Sequence, residues 1–179
     1  MPSWVRDLRP AIGVSLIFLV LVGLLYPLAE TGIGQAIFSH QANGSLTAQG
    51  STITGQHWTS PRWFIGRPDA DDPMATGAVN LGPRSEVLVK DTKQQVAQLQ
   101  KEGITVTPDL VTTSGSGVDP DIAPVDAYAQ VNTVAKARGL SQAQVRTLVA
   151  GQVHQAQFGF LGAPYINVLQ LNEALAALR

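Results

Sequence analysis

Apolar and polar positions divide the chain into two regimes. From Pro10 to Ala29 it reads PAIGVSLIFLVLVGLLYPLA, twenty residues without a charge, flanked by Arg9 and Glu30. At 1.5 Å rise per residue this is roughly 30 Å of helix, the thickness of a bilayer core. Trp4 and Tyr26 lie near its two ends, where interfacial aromatics are common. A cleaved signal peptide would need small residues at −3 and −1; with Ala29 at −1, Pro27 falls at −3, a poor site. The pattern predicts an uncleaved transmembrane helix over 10–29, a cytoplasmic stub over 1–9 and one domain over 30–179.

The second regime mixes short periodic segments with turns. ETGIGQAIFSHQANGS holds a mixed apolar run that ends in the turn signal Asn43-Gly44. SLTAQGSTITGQ reads as one or two short strands around Leu46 and Ile53. WTSPRWFIGRP reads as irregular chain pinned to a core by Trp58, Trp63 and Phe64, and residues 69–84 read as loop. SEVLVKDTKQQVAQLQKEG has Val89, Val96 and Leu99 at helical spacing, with Gly103 as a stop. ITVTPDLVTTS reads as a strand. A helix is predicted from Val125 to Arg138, with Pro124 at its start and Gly139 at its end. Another begins at the capping box Ser141–Gln144 and ends near Gly151. PYINVLQLNEALAALR closes the chain as a short strand and a helix. The fold class is α+β: one N-terminal transmembrane helix, then a mixed α+β extracytoplasmic domain.

Charge sets the orientation. Arg6 and Arg9 precede the span, and no Lys or Arg follows it until Arg62. The positive-inside rule places the N-terminus in the cytoplasm and residues 30–179 outside, as a single-pass protein of the cell's inner (plasma) membrane. A formal net charge of −1 gives no basic field for nucleic acid. The absence of cysteine excludes thiolate catalysis, disulfides and Cys-based zinc sites.

Several stretches invite a chemical reading. VAKARGLSQAQVRTLV, Val134 to Val149, has the helix–turn–helix outline, but its second helix carries one cation, Arg146, where a recognition helix needs several. LVAGQ, Leu148 to Gln152, shares Leu, Gly and Gln with the LSGGQ signature that contacts ATP phosphates, which makes Gln152 an ATP candidate. That signature works at a helix N-terminus, whereas LVAGQ falls at a predicted C-terminus. His40, His57 and His154 are dispersed, with no local ligand spacing. The Asp69, Asp71, Asp72 cluster lacks EF-hand spacing and reads as a solvated loop. TTSGSGVDPDIAP, Thr112 to Pro124, has the residue types of an active-site loop but not the Gly-x-Ser-x-Gly spacing of a nucleophile elbow. Its glycines permit unusual backbone angles, Asp119-Pro120 and Ala123-Pro124 restrict the chain before a helix, and Asp121 is placed to cap that helix.

An ordered series of motifs then becomes specific. LRPA (Leu8–Ala11), YPL (Tyr26–Leu28), QANGS (Gln41–Ser45), GQHW (Gly55–Trp58), WFIGRPDA (Trp63–Ala70) and NLGP (Asn80–Pro83) precede SGSGVDPDIAP; AYAQVNTVAKARGL, LGAP and INVLQLN follow. In this order, behind this anchor, the chain resembles the KdpC family, the C subunits of bacterial Kdp potassium-transporting P-type ATPases, from about Arg9 to Leu178. It departs at Asp69, where the family usually has Ser, and at Val118 and Ala123.

The resemblance implies a non-catalytic subunit that assembles or stabilises a high-affinity potassium pump, and that has been held to raise ATP affinity as a chaperone. Its partners are then a channel-like potassium-selective subunit and a P-type subunit that hydrolyses ATP, besides membrane lipid and no nucleic acid. It implies no cofactor bound by this chain, with ATP and potassium handled by the partners. With only about nine residues in the cytoplasm, an effect on ATP affinity would have to cross the membrane as coupling between pump states. The motif residues Asn43, Gly44, Gly66, Arg67, Pro68, Asn80, Ser114, Ser116, Gly117, Asp119, Pro120 and Asn167 are the candidates for partner contact or structural support. The competing reading is an independent, membrane-anchored exported enzyme or ligand-binding domain.

Overall fold

The computed structural model describes residues 3–69 and 76–178. The chain forms two compact units, Met1–Ser45 and Leu46–Arg179. The first is nearly all helix: α1 (Ser3–Val20), a π-helical turn (Leu21–Leu25), α2 (Tyr26–Ile37) and the short α3 (Ser39–Ala42). The π turn has a local cause. Pro27 has no N–H for the Gly23 carbonyl and its ring crowds that turn, so the helix widens just before it, and Tyr26 N–H bonds five residues back to the Leu21 carbonyl.

The apolar stretch Leu8–Ile37 is long and apolar enough to cross a membrane, and its large side chains, from Ile12 to Ile37, are exposed. At roughly 45 Å it is longer than a bilayer core, and it runs as helix past Ala29 through the segment read as a mixed apolar run.

The second unit is a mixed α+β domain. It contains α4 (Glu86–Lys101), β1 (Asp121–Ile122), α5 (Pro124–Arg138), α6 (Gln142–Gly151), β2 (Ile166–Asn167) and α7 (Val168–Ala177). The two strands pair antiparallel, Asp121 opposite Asn167 and Ile122 opposite Ile166. The main core joins Phe64, Ile122 and Ile166 to one stripe from each of three helices: Ala127, Val131 and Val134 of α5, Val145 and Val149 of α6, and Val168, Leu171 and Leu175 of α7. A smaller cluster gathers Leu99, Ile104 and Leu110. α5 stops at Gly139, and α6 opens on the expected reciprocal cap of Ser141 and Gln144. The predicted helix–turn–helix outline is this α5–α6 pair, packed into the core.

Three expectations need correction. The buried side of α4 is Leu88, Thr92, Val96 and Leu99, while Val89 is exposed; VLV offers two valines and a leucine in adjacent positions, and packing selects the leucine. Residues 104–114 form no strand, because Pro108 breaks the alternation and the segment turns instead. The strands expected around Leu46 and Ile53 reduce to one bridge between Leu46 and Ser51.

Candidate functional site: a buried polar scaffold around Arg67

The segment Trp63–Asp69 crosses the domain without regular structure, and its backbone groups still need partners. Two side-chain amides supply them. Asn172 of α7 accepts from Phe64 N–H (2.9 Å) and donates to the Phe64 carbonyl (2.9 Å). Gln130 of α5 accepts from Ile65 N–H (2.8 Å) and donates to the Ile65 carbonyl (3.1 Å). Both amides are fully buried. Each imitates the edge of a neighbouring strand for one residue. On one flank, Trp63 stacks under Arg138, 4.2 Å from the guanidinium carbon, and lies 5.2 Å from Trp58. This anchoring fixes Gly66, Arg67 and Pro68.

Arg67 then reaches two carboxylates on different loops. Its Nη2 donates to Asp109 Oδ1 at 2.7 Å, and its Nε lies 3.3 Å from Asp119 Oδ2. Asp69 organises the Thr112–Pro124 loop. Its Oδ1 accepts from Ser114 N–H (2.6 Å), and its Oδ2 accepts from the Ser114 hydroxyl (2.6 Å) and from Asp119 N–H (2.9 Å). Asp69 therefore binds three donors with its two carboxylate oxygens, an acceptor capacity that a single hydroxyl does not offer.

Within the loop, Ser114 Oγ accepts from Gly117 N–H (2.9 Å) and Ser116 Oγ from Val118 N–H (3.3 Å). Gly117 has φ 72°, and a Cβ there would stand 2.6 Å from the Gly77 carbonyl oxygen. Glycine is required twice over, by backbone angle and by space. Asp119 Oδ1 accepts from Asp121 N–H (3.0 Å), an Asx turn that aims the chain into β1, and the Pro120 carbonyl accepts from Val168 N–H (3.0 Å) at the start of α7.

Asn167 ties the far end. Its Nδ2 donates to the Thr52 carbonyl (2.8 Å) and Asp121 Oδ1 (2.9 Å), and its Oδ1 caps α7 by accepting from Gln170 N–H (3.2 Å). Asp121 is thus spent on Asn167 and does not cap α5. The N-cap of α5 is Ala123, with Pro124 at the first turn and no side-chain cap.

The candidates divide accordingly. Gly66, Arg67, Pro68, Ser114, Ser116, Gly117, Asp119, Pro120 and Asn167 share this scaffold. Asn80 is exposed in the 76–84 segment, with φ 52°. Asn43 and Gly44 belong to the first unit, where Gly44 N–H bonds to the Gln41 carbonyl (3.1 Å) and Ser45 N–H to the His40 carbonyl (2.9 Å). These two bonds, with Gly44 at φ 84°, form a Schellman motif that ends α3. Gln152 follows the last turn of α6, so LVAGQ presents a carbonyl end, the polarity opposite to a phosphate cradle. His154 stacks on Tyr165 at 4.9 Å. Asp71 and Asp72 lie outside the described residues. A cleft of about 480 Å³ borders the scaffold, and its Arg67 and Asp119 already pair with each other.

Sequence reasoning missed Asp109, Asp126, Gln130 and Asn172. Asp126 is 1% exposed in the first turn of α5, with its carboxyl group facing Thr107 and Asp109. Burial above all pushes this carboxyl above the ordinary carboxylate range; the Thr107 hydroxyl opposes the shift and Asp109 adds to it. The folded state thus holds this proton more tightly than the unfolded chain. The stability it contributes is full below the unfolded pKa, near 3.8, and is lost as pH rises through the higher folded value. Asp126→Asn, which keeps the shape and cannot ionise, is expected to melt above the wild type, by a margin that grows from pH 4 to pH 7. Parallel thermal melts of the two chains across that range check this.

Comparison with known proteins matches this framework along its length. The family described as "KdpC: K+-transporting ATPase, c chain" matches residues 8–177. A "Potassium-transporting ATPase KdpC subunit" from Caulobacter vibrioides is 46% identical, covering 95% of this chain and 92% of its own. Proteins of the same description from Sorangium cellulosum (46%, covering 96% and 98%) and Geobacter sulfurreducens (40%, covering 97% and 98%) agree. With the match spanning both the apolar helix and the Arg67 scaffold, the chain belongs to the KdpC family, the c chains of K+-transporting ATPases.

Proposed function

We propose that this chain is the accessory, non-catalytic subunit of an ATP-driven potassium uptake pump of the plasma membrane. The observation that carries the reading is the match over residues 8–177, which takes in the apolar helix and the whole outer domain together. A partner P-type subunit hydrolyses ATP and a channel-like subunit selects potassium; this chain holds the assembly together. The N-terminus is cytoplasmic and the 46–178 domain lies outside, as Arg6 and Arg9 before the span and no cation from Glu30 to Pro61 support. Any influence on ATP affinity then passes through the membrane as a difference in how tightly the subunit holds two pump states. In this reading the Arg67 scaffold keeps the outer domain rigid, because most of its polar groups are spent on one another.

Purification in mild detergent from potassium-starved cells tests the assignment. The chain is expected to co-elute with a polytopic membrane subunit and a P-type ATPase subunit. Elution alone would overturn it. A reporter fused after Arg179 is expected to be active outside the cytoplasm, and cytoplasmic activity would reverse the topology.

A further inference from the structure

The link from α6 to β2 carries a feature that the motif series does not explain. Residues 156–165 read AQFGFLGAPY, and Gln157 pairs with Leu161 as a minimal hairpin. Gln157 N–H donates to the Leu161 carbonyl (2.9 Å), Leu161 N–H to the Gln157 carbonyl (2.9 Å), and Phe160 N–H to the same carbonyl (3.2 Å). The two central residues, Phe158 and Gly159, have φ 53° and 80°. Gly, Asn and Asp occupy such turns readily, whereas a bulky phenylalanine there is a backbone outlier. The outlier does not serve packing, for Phe158 is 87% exposed and Phe160 76%. Leu161 and Tyr165 extend the exposed apolar tip. A strained turn that holds two aromatic rings in water points to a surface that covers them.

We infer that the Gln157–Leu161 hairpin is a docking knob whose phenylalanines enter an uncharged apolar socket on the outer face of the pump's polytopic, channel-like subunit. This rests on the proposed function above. Three observations select a protein socket. No Lys, Arg, Asp or Glu occurs between Arg146 and Glu173, so the tip has no basic flank to hold it at anionic headgroups, as a lipid-binding loop commonly has. The turn fixes the direction of both rings; a shape-matched pocket rewards that preorganisation and fluid lipid does not. The chain belongs to a family of pump c chains, so other chains of the assembly stand beside it. Two buried aromatics suit an anchoring hot spot within a larger interface.

Photocrosslinking in the intact assembly tests the knob. Full-length chain with p-benzoylphenylalanine in place of Phe158 is expressed with the pump, irradiated in membranes and purified in mild detergent. An adduct with the polytopic subunit is expected. An adduct with lipid only, with a second copy of the chain only, or no adduct while the wild-type chain co-purifies, overturns the inference and leaves the proposed function standing. Failure of the wild type itself to co-purify overturns both. In parallel, Phe158→Ser/Phe160→Ser is expected to leave the melting of the full chain unchanged, because both rings face solvent, and to speed its loss from the washed pump about tenfold, the change that truncating one moderate anchor gives. Unchanged retention would refute the knob.

Discussion

Asn172→Ala is expected to destabilise the 46–178 domain by about 3–5 kcal/mol, the largest effect of any single truncation outside the hydrophobic core. Among the described residues, the amide of Asn172 is the one partner of both backbone groups of Phe64, at 2.9 Å each. Its removal leaves a buried N–H and a buried carbonyl unmet, each costing about 1–3 kcal/mol, and adds a small cavity. Phe64 is itself fully buried, so water reaches neither group without opening the core. Asn172→Asp is expected to do comparable harm, because a carboxylate loses the donor to the Phe64 carbonyl and brings a buried charge. Gln142→Ala is the control: its amide bonds Asn132 at 2.9 Å on the exposed surface, and its loss is expected to change stability by no more than about 0.5 kcal/mol. Thermal melts of the full chain in detergent, followed by the fluorescence of Trp58 and Trp63, separate the two classes. The Asn172 variants are expected to melt about 10 °C lower or more.

Arg67 is the second large effect. Its guanidinium lies between Asp109 and Asp119, with Asp126 buried beside Asp109. Arg67→Met keeps most of the stem and removes the charge, so the carboxylates repel one another without compensation. A fully buried pair broken in this way costs about 3–5 kcal/mol. The Arg67 side chain is 20% exposed, so water screens part of the loss and about 2–3 kcal/mol is expected. Arg67→Lys is expected to fall between, because a point ammonium cannot span two carboxylates as the planar fork does. The stabilisation by Asp126→Asn is expected to grow in the Arg67→Met background, because without the guanidinium the charge on Asp126 is opposed only by its neighbours, and the two substitutions around Asp109 are not independent.

How much of this was legible depends on how local each signal is. The Ser141 cap and the Gly139 stop are written within a few residues and stand where the sequence places them, and the N-terminal apolar run is helical as expected but continues past Ala29 to Ile37. Trp58, Trp63 and Phe64 do pin an irregular segment. The side-chain amides that complete this segment were not legible. Gln130 and Asn172 look like ordinary polar helix residues, and their partners lie 65 and 108 positions away. One signal was available: Gln130 falls on the stripe of Ala127, Val131 and Val134, and Asn172 beside Leu171 and Leu175. A polar residue on a buried stripe must find a partner. The ITVT segment misled in the opposite way. Its alternation is strand-like, but alternation describes only which side is buried, and a strand also needs a neighbouring edge.

The loop Thr112–Pro124 gives the clearest case. Its residue types resemble a site, and its atoms are occupied: Ser114 by Asp69 and Gly117, Ser116 by Val118, Asp119 by Arg67 and Asp121. Its serines, glycines and aspartates fold a turn, hold it against Arg67 and Asp69, and launch β1.

That claim meets its most direct test in one paired measurement on Arg67→Met: melting of the full chain in detergent, and recovery of the pump from the same cells. If Arg67 is scaffold, melting falls by several degrees and pump recovery falls with it, returning when cells are grown cooler. An unchanged melting temperature with loss of the pump would contradict the account and make Arg67 a contact residue.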